Sequence, residues 1–552
     1  MTTREQLNYI AKNRIIILDG AMGSIIQVLN LDEKSYRGNL FENHPTPLEG
    51  CNDILCLTRP GAIGAIHDTY LEAGADIIET CSFNSTSIYL SDYGLGHLSY
   101  EISEAAAKIA RKSADKFSSY DKPRFVAGSI GPTAKGASLY PDVTNPGKRA
   151  VSWDELETSY YDNARGLLDG GVDLLLLETI FDTLNAKAAL RAISRLLKER
   201  QIDIPIMISA AISGESGRLL SGQNLEAFLI SVLHVKPWAI GLNCSFNAPK
   251  LLPFVRSLSN VAPCLISAYP NAGIPNKFGR YEEMPDIMAD NIEPFFQEKL
   301  VNIIGGCCGS SPAHIAAIAE KAKEYEPRET EKQEIFNFWG VFSGLESIRI
   351  PHNTICLRNP DTFAHMEDLQ IAFIKGEYEE AADIARDIIE AGSSILNIDL
   401  NIETNDPKII NEKAVNSFLD YALMNPYAAK APFYINSSDF SIIETALKRL
   451  QGRCLAGPIN LKDGDTEFLK KAQLIQHYGA AVVVQLMDEQ GYAENNNYES
   501  NKRKKEIAQR VYKLLLKNYY PVDNIIFDPR VSEEDSLCIW IQDNCPGVII
   551  AL

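Results

Sequence analysis

Residues 154–180, DELETSYYDNARGLLDGGVDLLLLETI, indicate the fold most clearly. Asp154–Gly170 has the spacing of an amphipathic helix, and a glycine turn separates it from the nearly continuous apolar run Val172–Ile180. A strand that is apolar on both faces is typical of a parallel sheet covered by helices. This stretch therefore predicts one helix–strand unit of a parallel α/β fold.

The same alternation of strand and helix extends through the first half, with further helical patterns at Gly61–Ala73 and Glu101–Phe117. Eight strands are predicted, namely Arg14–Gly20, Ala75–Phe83, Arg124–Pro132, Val172–Ile180, Pro205–Ile212, Ala239–Ser245, Cys264–Asn271 and Asn302–Gly309. Eight such units are typical of a (β/α)8 barrel of the TIM type, in which the chemistry lies at the C-terminal ends of the strands. A doubly wound open sheet is the alternative, but no G-x-G-x-x-G motif follows the first strand to favour it.

A second series of strands and helices follows the charged stretch Lys321–Lys332. We predict a first barrel over residues 1–325, a linker over 326–350 and a second barrel over 351–552. The predicted strands of the second barrel are Thr354–Asn359, Ile395–Asn401, Pro432–Ser438, Cys454–Leu461, Ala480–Asp488, Asn524–Arg530 and Gly547–Leu552. Seven strands are one fewer than a complete barrel needs, so we expect the second barrel to lack its last βα unit.

The composition narrows the class of protein. The chain has 552 residues, of which 45% are hydrophobic, and this suits two large domains. A formal net charge of −19 argues against broad binding to nucleic acids or to an anionic membrane surface. The polar N-terminus lacks the pattern of a signal peptide, and the 11 cysteines are scattered. We therefore expect a cytoplasmic protein with reduced thiols that serve as core residues, nucleophiles or metal ligands.

Three cysteines follow two of the predicted strands. Cys244 ends the sixth strand, and Cys307 and Cys308 end the eighth within the run GGCCG. Because the C-terminal ends of barrel strands share one rim, these sulfurs should converge. Three thiolates form a soft ligand set that suits Zn²⁺ and leaves the fourth position open, as in catalytic zinc sites. Buried core thiols are the alternative interpretation.

A zinc ion with three thiolate ligands has a net charge of −1 and is a poor electrophile. It lowers the pKa of an incoming thiol and holds it as a thiolate, so the reaction it suits is alkylation of a substrate thiol. An amino-acid thiol also needs partners for its ammonium and carboxylate groups. Asp19 and Glu178 are candidates for the ammonium, and the N–H groups of Gly20–Gly23 and Ser82–Asn84 for the carboxylate. Asn271 could offer its amide oxygen to the metal, or be an ordinary turn residue.

Several motifs of the first half closely resemble the homocysteine-binding barrel of cobalamin-dependent methionine synthases. They are DGAMG (19–23), AGADIIET (73–80), FNST (83–86), ETIFDTLNAK (178–187), SGRLLSGQ (216–223), GLNC (241–244) and GGCCG (305–309). The resemblance implies that Cys244, Cys307 and Cys308 bind zinc and that zinc binds the sulfur of homocysteine. It also implies that the methyl group comes from methylcobalamin.

The second half resembles the pterin-binding barrel of the same enzymes, through KGEYEEA (375–381), YGAAVVV (478–484), DEQG (488–491) and IIFDP (525–529). It departs from that family at its polar positions. The family's Asp-Ile-Asn-Met-Asp is Asn-Ile-Asp-Leu-Asn at 397–401, its Asp-Ser-Ser is Asn-Ser-Ser at 436–438, and its Asp-Pro-Asn is Asp-Pro-Arg at 528–530. Its Gly-Glu-Arg-Thr-Asn and Asn-Ser-Ile-Ser runs are Leu-Arg-Asn-Pro-Asp (357–361) and Gly-Pro-Ile-Asn (457–460).

Each lost polar partner costs roughly 1–3 kcal/mol of binding. We therefore predict a degenerate second barrel in which binding of 5-methyltetrahydrofolate is impaired or lost. The candidate pocket residues that remain are Asn397, Asn436, Asp488 and Asp528.

The corrinoid signature Asp-x-His-x-x-Gly is absent from these 552 residues. Methylcobalamin is therefore expected on a cobalamin-binding module elsewhere or on a separate corrinoid protein. The main alternative is a homocysteine methyltransferase that uses betaine or S-methylmethionine, with the second barrel as a non-catalytic docking module. A structural zinc protein is a further alternative, which an open fourth ligand position would argue against.

Overall fold

A computed structural model of the chain describes residues 1–142, 144–277, 279–330, 340–350, 354–357, 362–401, 409–492, 498–531 and 535–552. The chain forms two compact units. The first comprises Met1–Gly136, Val151–Ser221 and Lys236–Phe336, and the second comprises Ala137–Ala150, Gly222–Val235 and Asn337–Leu552. The domain limits at 1–325, 326–350 and 351–552 stay a prediction.

The first sheet contains all eight strands that the sequence predicts. They are β1 (Ile16–Ile17), β2 (Ile77–Glu79), β3 (Phe125–Ile130), β4 (Leu174–Ile180), β5 (Ile206–Ala210), β6 (Ala239–Asn247), β7 (Leu265–Asn271) and β8 (Ile303–Ile304). All neighbours are parallel, in the order β1-β8-β7-β6-β5-β4-β3-β2. A parallel bridge between Leu18 and Ile77 joins the two edges, so the sheet is a nearly closed barrel. The predicted barrel is confirmed.

Helices alternate with these strands along the chain. They are α1 (Thr3–Asn13), α2 (Met22–Val28), α3 (Glu33–Arg37), α4 (Leu55–Thr58), α5 (Pro60–Glu72), α6 (Ser87–Leu90), α7 (Ser99–Phe117), α8 (Trp153–Asp169), α9 (Thr183–Arg200), α10 (Leu225–Val232), α11 (Ala248–Val261), α12 (Pro285–Gln297) and α13 (Pro312–Ala322). Short 3₁₀ helices lie at Asn52–Ile54, Ser91–Tyr93, Gly96–Leu98 and Leu233–Val235. The three helices that the sequence analysis names correspond to α5, α7 and α8.

Helix α1 belongs to the core of the first barrel. A capping box between Thr2 and Glu5 begins the helix and satisfies its free N–H groups. Leu7 and Ile10 are buried in the same apolar cluster as the inward side chains of the strands, for example Ile16. The interior of the barrel is therefore a packed core, and polar chemistry is confined to the C-terminal strand ends.

The second half contains a sheet formed by the seven predicted strands, and two separate two-stranded hairpins. In chain order the strands are β9 (Val341–Ser343), β10 (Ser347–Arg349), β11 (Thr354–Ile355), β12 (Leu396–Asp399), β13 (Phe433–Asn436), β14 (Leu455–Ile459), β15 (Ala481–Gln485), β16 (Met487–Asp488), β17 (Gly491–Tyr492), β18 (Ile525–Asp528) and β19 (Ile549–Ala551). The parallel order β11-β19-β18-β15-β14-β13-β12 brings the last strand directly beside the first. β9 pairs with β10 and β16 with β17 as antiparallel hairpins.

The helices of this half are α14 (Phe363–Lys375), α15 (Tyr378–Glu390), α16 (Glu412–Met424), α17 (Pro426–Lys430), α18 (Phe440–Leu447), α19 (Gly464–His477), α20 (Tyr498–Lys517) and α21 (Ser536–Asn544), with a 3₁₀ helix at Val522–Asn524. The overall prediction of two α/β barrels in tandem, the second with seven strands, is confirmed. Among the residues described above, no helix has the length and apolar character needed to cross a membrane. Of the predicted departures from the pterin-binding pattern, residues 358–361 lie outside the described part of the chain.

Candidate active site at the rim of the first barrel

The three predicted cysteines meet at the C-terminal rim of the first barrel. Cys244 lies in β6, Cys307 and Cys308 follow β8, and the three sulfurs lie within 4.8 Å of one another. The sulfurs of Cys244 and Cys308 are 3.7 Å apart, far more than the ~2.05 Å of a disulfide. Zn–S bonds of about 2.3 Å in tetrahedral geometry would separate two sulfurs by about 3.8 Å. The spacing of Cys244 and Cys308 therefore matches two ligands of one zinc ion, and Cys307 lies close enough to be a third.

The turn after β8 is held by backbone hydrogen bonds to the neighbouring strand. Cys307 N–H donates to the Pro270 carbonyl at 2.8 Å, and Ala272 N–H donates to the Cys308 carbonyl at 2.9 Å. Both bonds connect this turn to the end of β7. The two adjacent cysteines therefore lie on a fixed turn, which allows both sulfurs to point to one place.

Glycine is required around the cysteine pair for two different structural reasons. Gly309 has a φ of +82°, and a Cβ atom there would lie 2.2 Å from Cβ of Tyr281. Gly305 and Gly306 have ordinary conformations, but a Cβ would lie 2.8 Å from Leu18 Cβ and 2.5 Å from Ser310 Oγ, respectively. A left-handed backbone therefore favours glycine at position 309, whereas close packing requires glycine at 305 and 306.

Charge within the cluster is shared among the thiols. Hydrogen bonds from Cys307 and then Cys308 lower the pKa of the Cys244 thiol. The hydrogen bond to Cys244 raises the pKa of Cys307 well above its ordinary value. A cluster of thiols that stabilises one thiolate without any cation is suited to accept a metal cation in exchange for its protons.

Three carboxylates lie at neighbouring strand ends inside the same rim. Asp19 and Glu178 are 2% and 4% exposed, and Glu79 at the end of β2 joins them. Glu79 N–H donates to Asp19 Oδ2 at 3.0 Å, Ser129 Oγ donates to Glu178 Oε1 at 2.5 Å, and Asp19 Oδ1 has no partner. In the described part of the chain, no lysine, arginine or histidine forms an ion pair with any of the three. Among the described residues, none of these three carboxylates is therefore neutralised by an ion pair.

Burial dominates the protonation of these acids. It raises the pKa of Glu178 to about 7, and it raises the pKa values of Asp19 and Glu79 well above their ordinary range. The negative charge of Glu178 adds to this effect at both other acids. A cationic group that enters the rim would stabilise the ionised forms, so the arrangement is suited to bind an ammonium. Glu79 is not among the site residues predicted from the sequence, although it too ends a strand, within AGADIIET.

The other predicted substrate contacts are placed differently. A Cβ at Gly20 would lie 2.7 Å from Ser310 Oγ and 2.9 Å from Tyr70, so this glycine makes room for protein side chains. Ser82 N–H donates to the Thr80 carbonyl and Ser82 Oγ to the Ser129 carbonyl, at 2.8 Å and 2.7 Å. The hydrogen bonds of Ser82 therefore brace the barrel. A carboxylate partner in the rim stays a prediction.

Asn271 ends β7 beside the cysteines. It is 4% exposed and lies beside Cys244, and its Oδ1 atom has no hydrogen-bond partner. A buried amide oxygen without a partner is rare in folded proteins and indicates an absent ligand or water. The structure thus brings together Cys244, Cys307, Cys308 and Asn271 at the candidate metal site.

The corresponding end of the second barrel carries a different set of groups. Alternate residues of a strand share one face, so Asn397, Asn436, Gln485 and Asp528 continue inward faces that hold buried Ile395, Tyr434, Val483 and Ile526. These four polar side chains are 6–9% exposed and define what we call the polar layer. The layer includes three of the four pocket residues predicted for this barrel.

Most of the polar layer is hydrogen-bonded within the protein. Asn397 Nδ2 donates to the Leu357 carbonyl at 3.0 Å, and Asn401 Nδ2 donates to Asn436 Oδ1 at 2.9 Å. Arg530 lies 3.8 Å from Asp528 and, with the Gln485 amide oxygen turned towards it, donates to that oxygen at 2.9 Å.

Asp488, the fourth predicted pocket residue, is separate from the polar layer. It lies in the hairpin strand β16, where it forms an ion pair with Arg503.

The chain is thus an α/β-barrel protein whose rim brings together three cysteines and three acids, two of them buried, a set that could hold a soft metal and a cationic ligand. Comparison of the sequence with protein families then identifies the family. The model described as "Homocysteine S-methyltransferase" matches residues 16–322, and the model described as "Pterin binding enzyme" matches residues 369–534. The first match covers more than half of the chain, so the chain belongs to the homocysteine S-methyltransferase family, a family of methyltransferases. Both resemblances noted in the sequence are confirmed.

Solved structures of the homocysteine methyltransferase MmuM from Escherichia coli are similar to this chain. The oxidized form is 22% identical, covering 56% of this chain and 96% of its own, with a TM-score of 0.44. The metallated form is 23% identical, covering 57% and 98%, also with a TM-score of 0.44. In both cases the aligned part is little more than half of this chain.

Proposed function

We propose that the first barrel binds one zinc ion through Cys244, Cys307 and Cys308 and methylates the sulfur of homocysteine. The observation that carries the proposal is the convergence of these three sulfurs within 4.8 Å, in a chain of the homocysteine S-methyltransferase family. Bound zinc would lower the pKa of the substrate thiol and keep it as a nucleophilic thiolate at neutral pH. Free thiols of this kind persist in a reducing compartment, which supports a cytoplasmic location.

The residues of the rim orient the substrate. Glu178 and Asp19 receive the ammonium group of homocysteine, and Glu79 adds a third negative charge beside them. Asp19 Oδ1 supports this role because it is a buried acceptor without a partner. The unpaired oxygen of Asn271 would complete the metal coordination until the substrate sulfur takes that place. Pairing a buried ammonium with these carboxylates fixes the direction of the substrate chain towards the sulfurs.

The methyl donor in this proposal is methylcobalamin carried by another module or by a separate corrinoid protein. The match of residues 369–534 to pterin-binding enzymes supports it, because that module accompanies the first barrel in cobalamin-dependent relatives. Direct use of 5-methyltetrahydrofolate is disfavoured, since Arg530 and Asn401 already engage the polar layer. The same engagement favours a second candidate function, in which betaine or S-methylmethionine is the donor and the second barrel is a docking module.

The test measures zinc content and methionine formation from homocysteine by the full chain, with methylcobalamin, betaine and S-methylmethionine supplied separately. Cys307→Ala is the test variant. Cys356→Ala, which removes an exposed thiol, is the matched control. We expect about one zinc per chain, by analogy with other three-thiolate catalytic sites, and loss of both metal and turnover only in Cys307→Ala. Turnover by metal-free protein, or unchanged turnover in Cys307→Ala, would contradict the proposal.

A further inference from the structure

Asn243 connects the candidate metal site to three strands of the first barrel. Its side chain is fully buried in β6, next to Cys244. Oδ1 accepts from Ser209 Oγ at 2.7 Å and from Thr179 N–H at 3.1 Å. Nδ2 donates to Thr179 Oγ1 at 2.7 Å and reaches the Cys307 sulfur at 4.0 Å. One amide thus joins the ends of β4, β5 and β6 and touches a candidate metal ligand.

The backbone on either side of this amide is in an unfavourable conformation. Thr179, Cys244 and Ser245 have φ angles of +55°, +55° and +58°, in the left-handed region that side chains other than glycine rarely adopt. Such conformations persist only where surrounding contacts hold them, and they concentrate at functional sites. The two bonds from Asn243 to Thr179 and the chain connection to Cys244 make Asn243 the brace of this turn.

Each sulfur of the cluster has a different polar partner. Asn243 reaches Cys307, Asn271 lies beside Cys244, and the Tyr281 hydroxyl lies beside Cys308. A donor near a thiolate draws electron density from the sulfur, which weakens it as a nucleophile and tunes its bond to a metal. A methyltransferase with three thiolate ligands beside its substrate thiolate must make the ligands less reactive than the substrate.

We propose that Asn243 is a positioning residue that holds Cys307 as a non-reacting ligand, so that the substrate sulfur and not Cys307 accepts the methyl group. This inference rests on the proposed function. In the transfer, the substrate sulfur forms the new bond to the methyl carbon, and the methyl donor leaves with the electron pair of the broken bond. Cys307 forms no bond to carbon, because the amide fixes the direction of its sulfur and lowers its reactivity.

The experiment uses the full chain loaded with Co²⁺ in place of zinc. Asn243→Asp keeps the oxygen that accepts from Ser209 and Thr179 but removes the N–H groups. We expect the sulfur-to-cobalt charge-transfer band to move to lower energy, because Cys307 becomes more electron-rich. With methyl iodide as the probe, the share of methylation at Cys307, mapped by peptide mass spectrometry, should rise several-fold over that at Cys244 and Cys308.

Two further variants keep the test decisive if Asn243→Asp folds poorly. Ser209→Ala removes a hydrogen bond of the same network but keeps the N–H donor, so the band and the share at Cys307 should stay as in the wild type. Thr179→Val removes the competing acceptor of Nδ2 and should shift both readouts in the opposite direction. Unchanged readouts in Asn243→Asp and Thr179→Val, with one cobalt bound, would overturn the role of Asn243. Failure of the wild-type chain to bind metal would instead overturn the proposed function.

Discussion

The two barrels present the same fold but opposite states of hydrogen bonding at their C-terminal ends. The rim of the first barrel holds three thiols and three acids, and two of its buried acceptors, Asp19 Oδ1 and Asn271 Oδ1, have no partner. In the polar layer of the second barrel, Asn436, Gln485 and Asp528 have partners within the protein. Only Asn397 Oδ1 is unpaired there, among the residues that the structure describes.

The polar groups of the first rim are thus left for a ligand to pair with, whereas those of the second barrel are mostly paired within the protein. Burying a polar group without a hydrogen bond costs roughly 1–3 kcal/mol, so unpaired acceptors persist where a ligand compensates for them. The three carboxylates of the first rim also favour a bound cation, because they have no basic partner and an isolated buried charge is costly. The rim of the first barrel is therefore suited to a cation and a metal, whereas the polar layer of the second barrel is largely paired within the protein.

Removing the metal should have the largest effect and should affect one barrel only. Chelation of zinc should abolish methylation of homocysteine completely, because three thiolates without metal have no means to lower the pKa of the substrate thiol. Adding zinc should restore the activity. Hydrogen exchange of β12–β15 in the second barrel should stay unchanged, since none of the sulfurs belongs to that unit. Activity that survives chelation would mean that the thiols act without metal.

Acid should destabilise the first barrel through His67 in α5. This side chain is fully buried and neither ring nitrogen has a partner, and burial lowers its pKa to about 4. The unfolded value of about 6.5 is higher, so the unfolded state binds the proton first and stability falls as pH decreases from about 6.5 to 4. The loss reaches roughly 3 kcal/mol by linkage.

Hydrogen exchange of α5 between pH 7 and pH 4.5 measures this loss. His67→Leu should remove most of the pH dependence, because it leaves nothing to protonate. His97→Gln, which changes an exposed histidine of the same unit, is the control and should retain it. An equal pH dependence in His67→Leu would assign the acid sensitivity to other groups.

Glu178→Gln tests the charge that distinguishes the first rim. The amide preserves the shape and the acceptor for Ser129 but cannot form an ion pair with an ammonium. Loss of a charged hydrogen bond costs about 1.5–3 kcal/mol, so the Kd for homocysteine should rise about 10- to 100-fold. Because burial raises the pKa of Glu178 to about 7, wild-type affinity should also weaken as pH falls below 7, where the acid becomes protonated and neutral.

A substrate without the ammonium makes this test specific. 4-Mercaptobutyrate has the thiol and the carboxylate only, and Glu178→Gln should bind it as well as the wild type does. Glu157→Gln is a matched control, since Glu157 is a buried acid of the same barrel that pairs with Arg191 and Arg195. A uniform loss for both ligands in Glu178→Gln would indicate a structural role.

The sequence predicts those features of the two barrels that depend only on the order of strands and helices along the chain. Eight strands, seven strands and the meeting of Cys244 with Cys307 and Cys308 all follow from alternating helices and parallel strands, whose ends share one rim. The approach of Glu79 to Asp19 and Glu178 depends on strand register, which no local pattern specifies. The same holds for the contact of Asn243 with Cys307.

A position at a strand end does not by itself show whether a residue contacts a ligand or stabilises the barrel. Ser82 follows a strand and is predicted to offer its N–H to a substrate, but this N–H donates to the Thr80 carbonyl of its own segment, and the hydroxyl donates to Ser129 in β3. Gly305 and Gly306 are explained by packing against Leu18 and Ser310, which only tertiary structure shows. The hairpin of β9 and β10 lies in the stretch predicted as a linker. The sequence does not predict it, because strands of three residues are too short to show a clear alternation of apolar and polar residues.

Arg530→Ala should give the smallest effect and tests whether the second barrel is filled by its own side chains. The arginine is 46% exposed, so losing its pairing with Asp528 should change stability by less than about 1 kcal/mol. The variant frees Gln485 and Asp528 as partners for a ligand. If pairing with Arg530 is what blocks ligand binding to the polar layer, 5-methyltetrahydrofolate should bind Arg530→Ala more tightly than the wild type. The gain should be about 10-fold for one regained hydrogen bond.

Titration calorimetry of both proteins with 5-methyltetrahydrofolate measures that difference, and Arg510→Ala, at a surface ion pair with Glu489, controls for loss of an arginine. Micromolar affinity in the wild type would show that the polar layer still serves a pterin, and the contrast between the barrels would then lie in ligand identity. No binding by either protein would mean that departures from the pterin-binding pattern other than Arg530, such as Asn397 and Asn436, are enough to remove the site. Tighter binding by Arg530→Ala alone would identify the arginine as the group that occupies it, because the ligand then gains the hydrogen bonds that the guanidinium gives up.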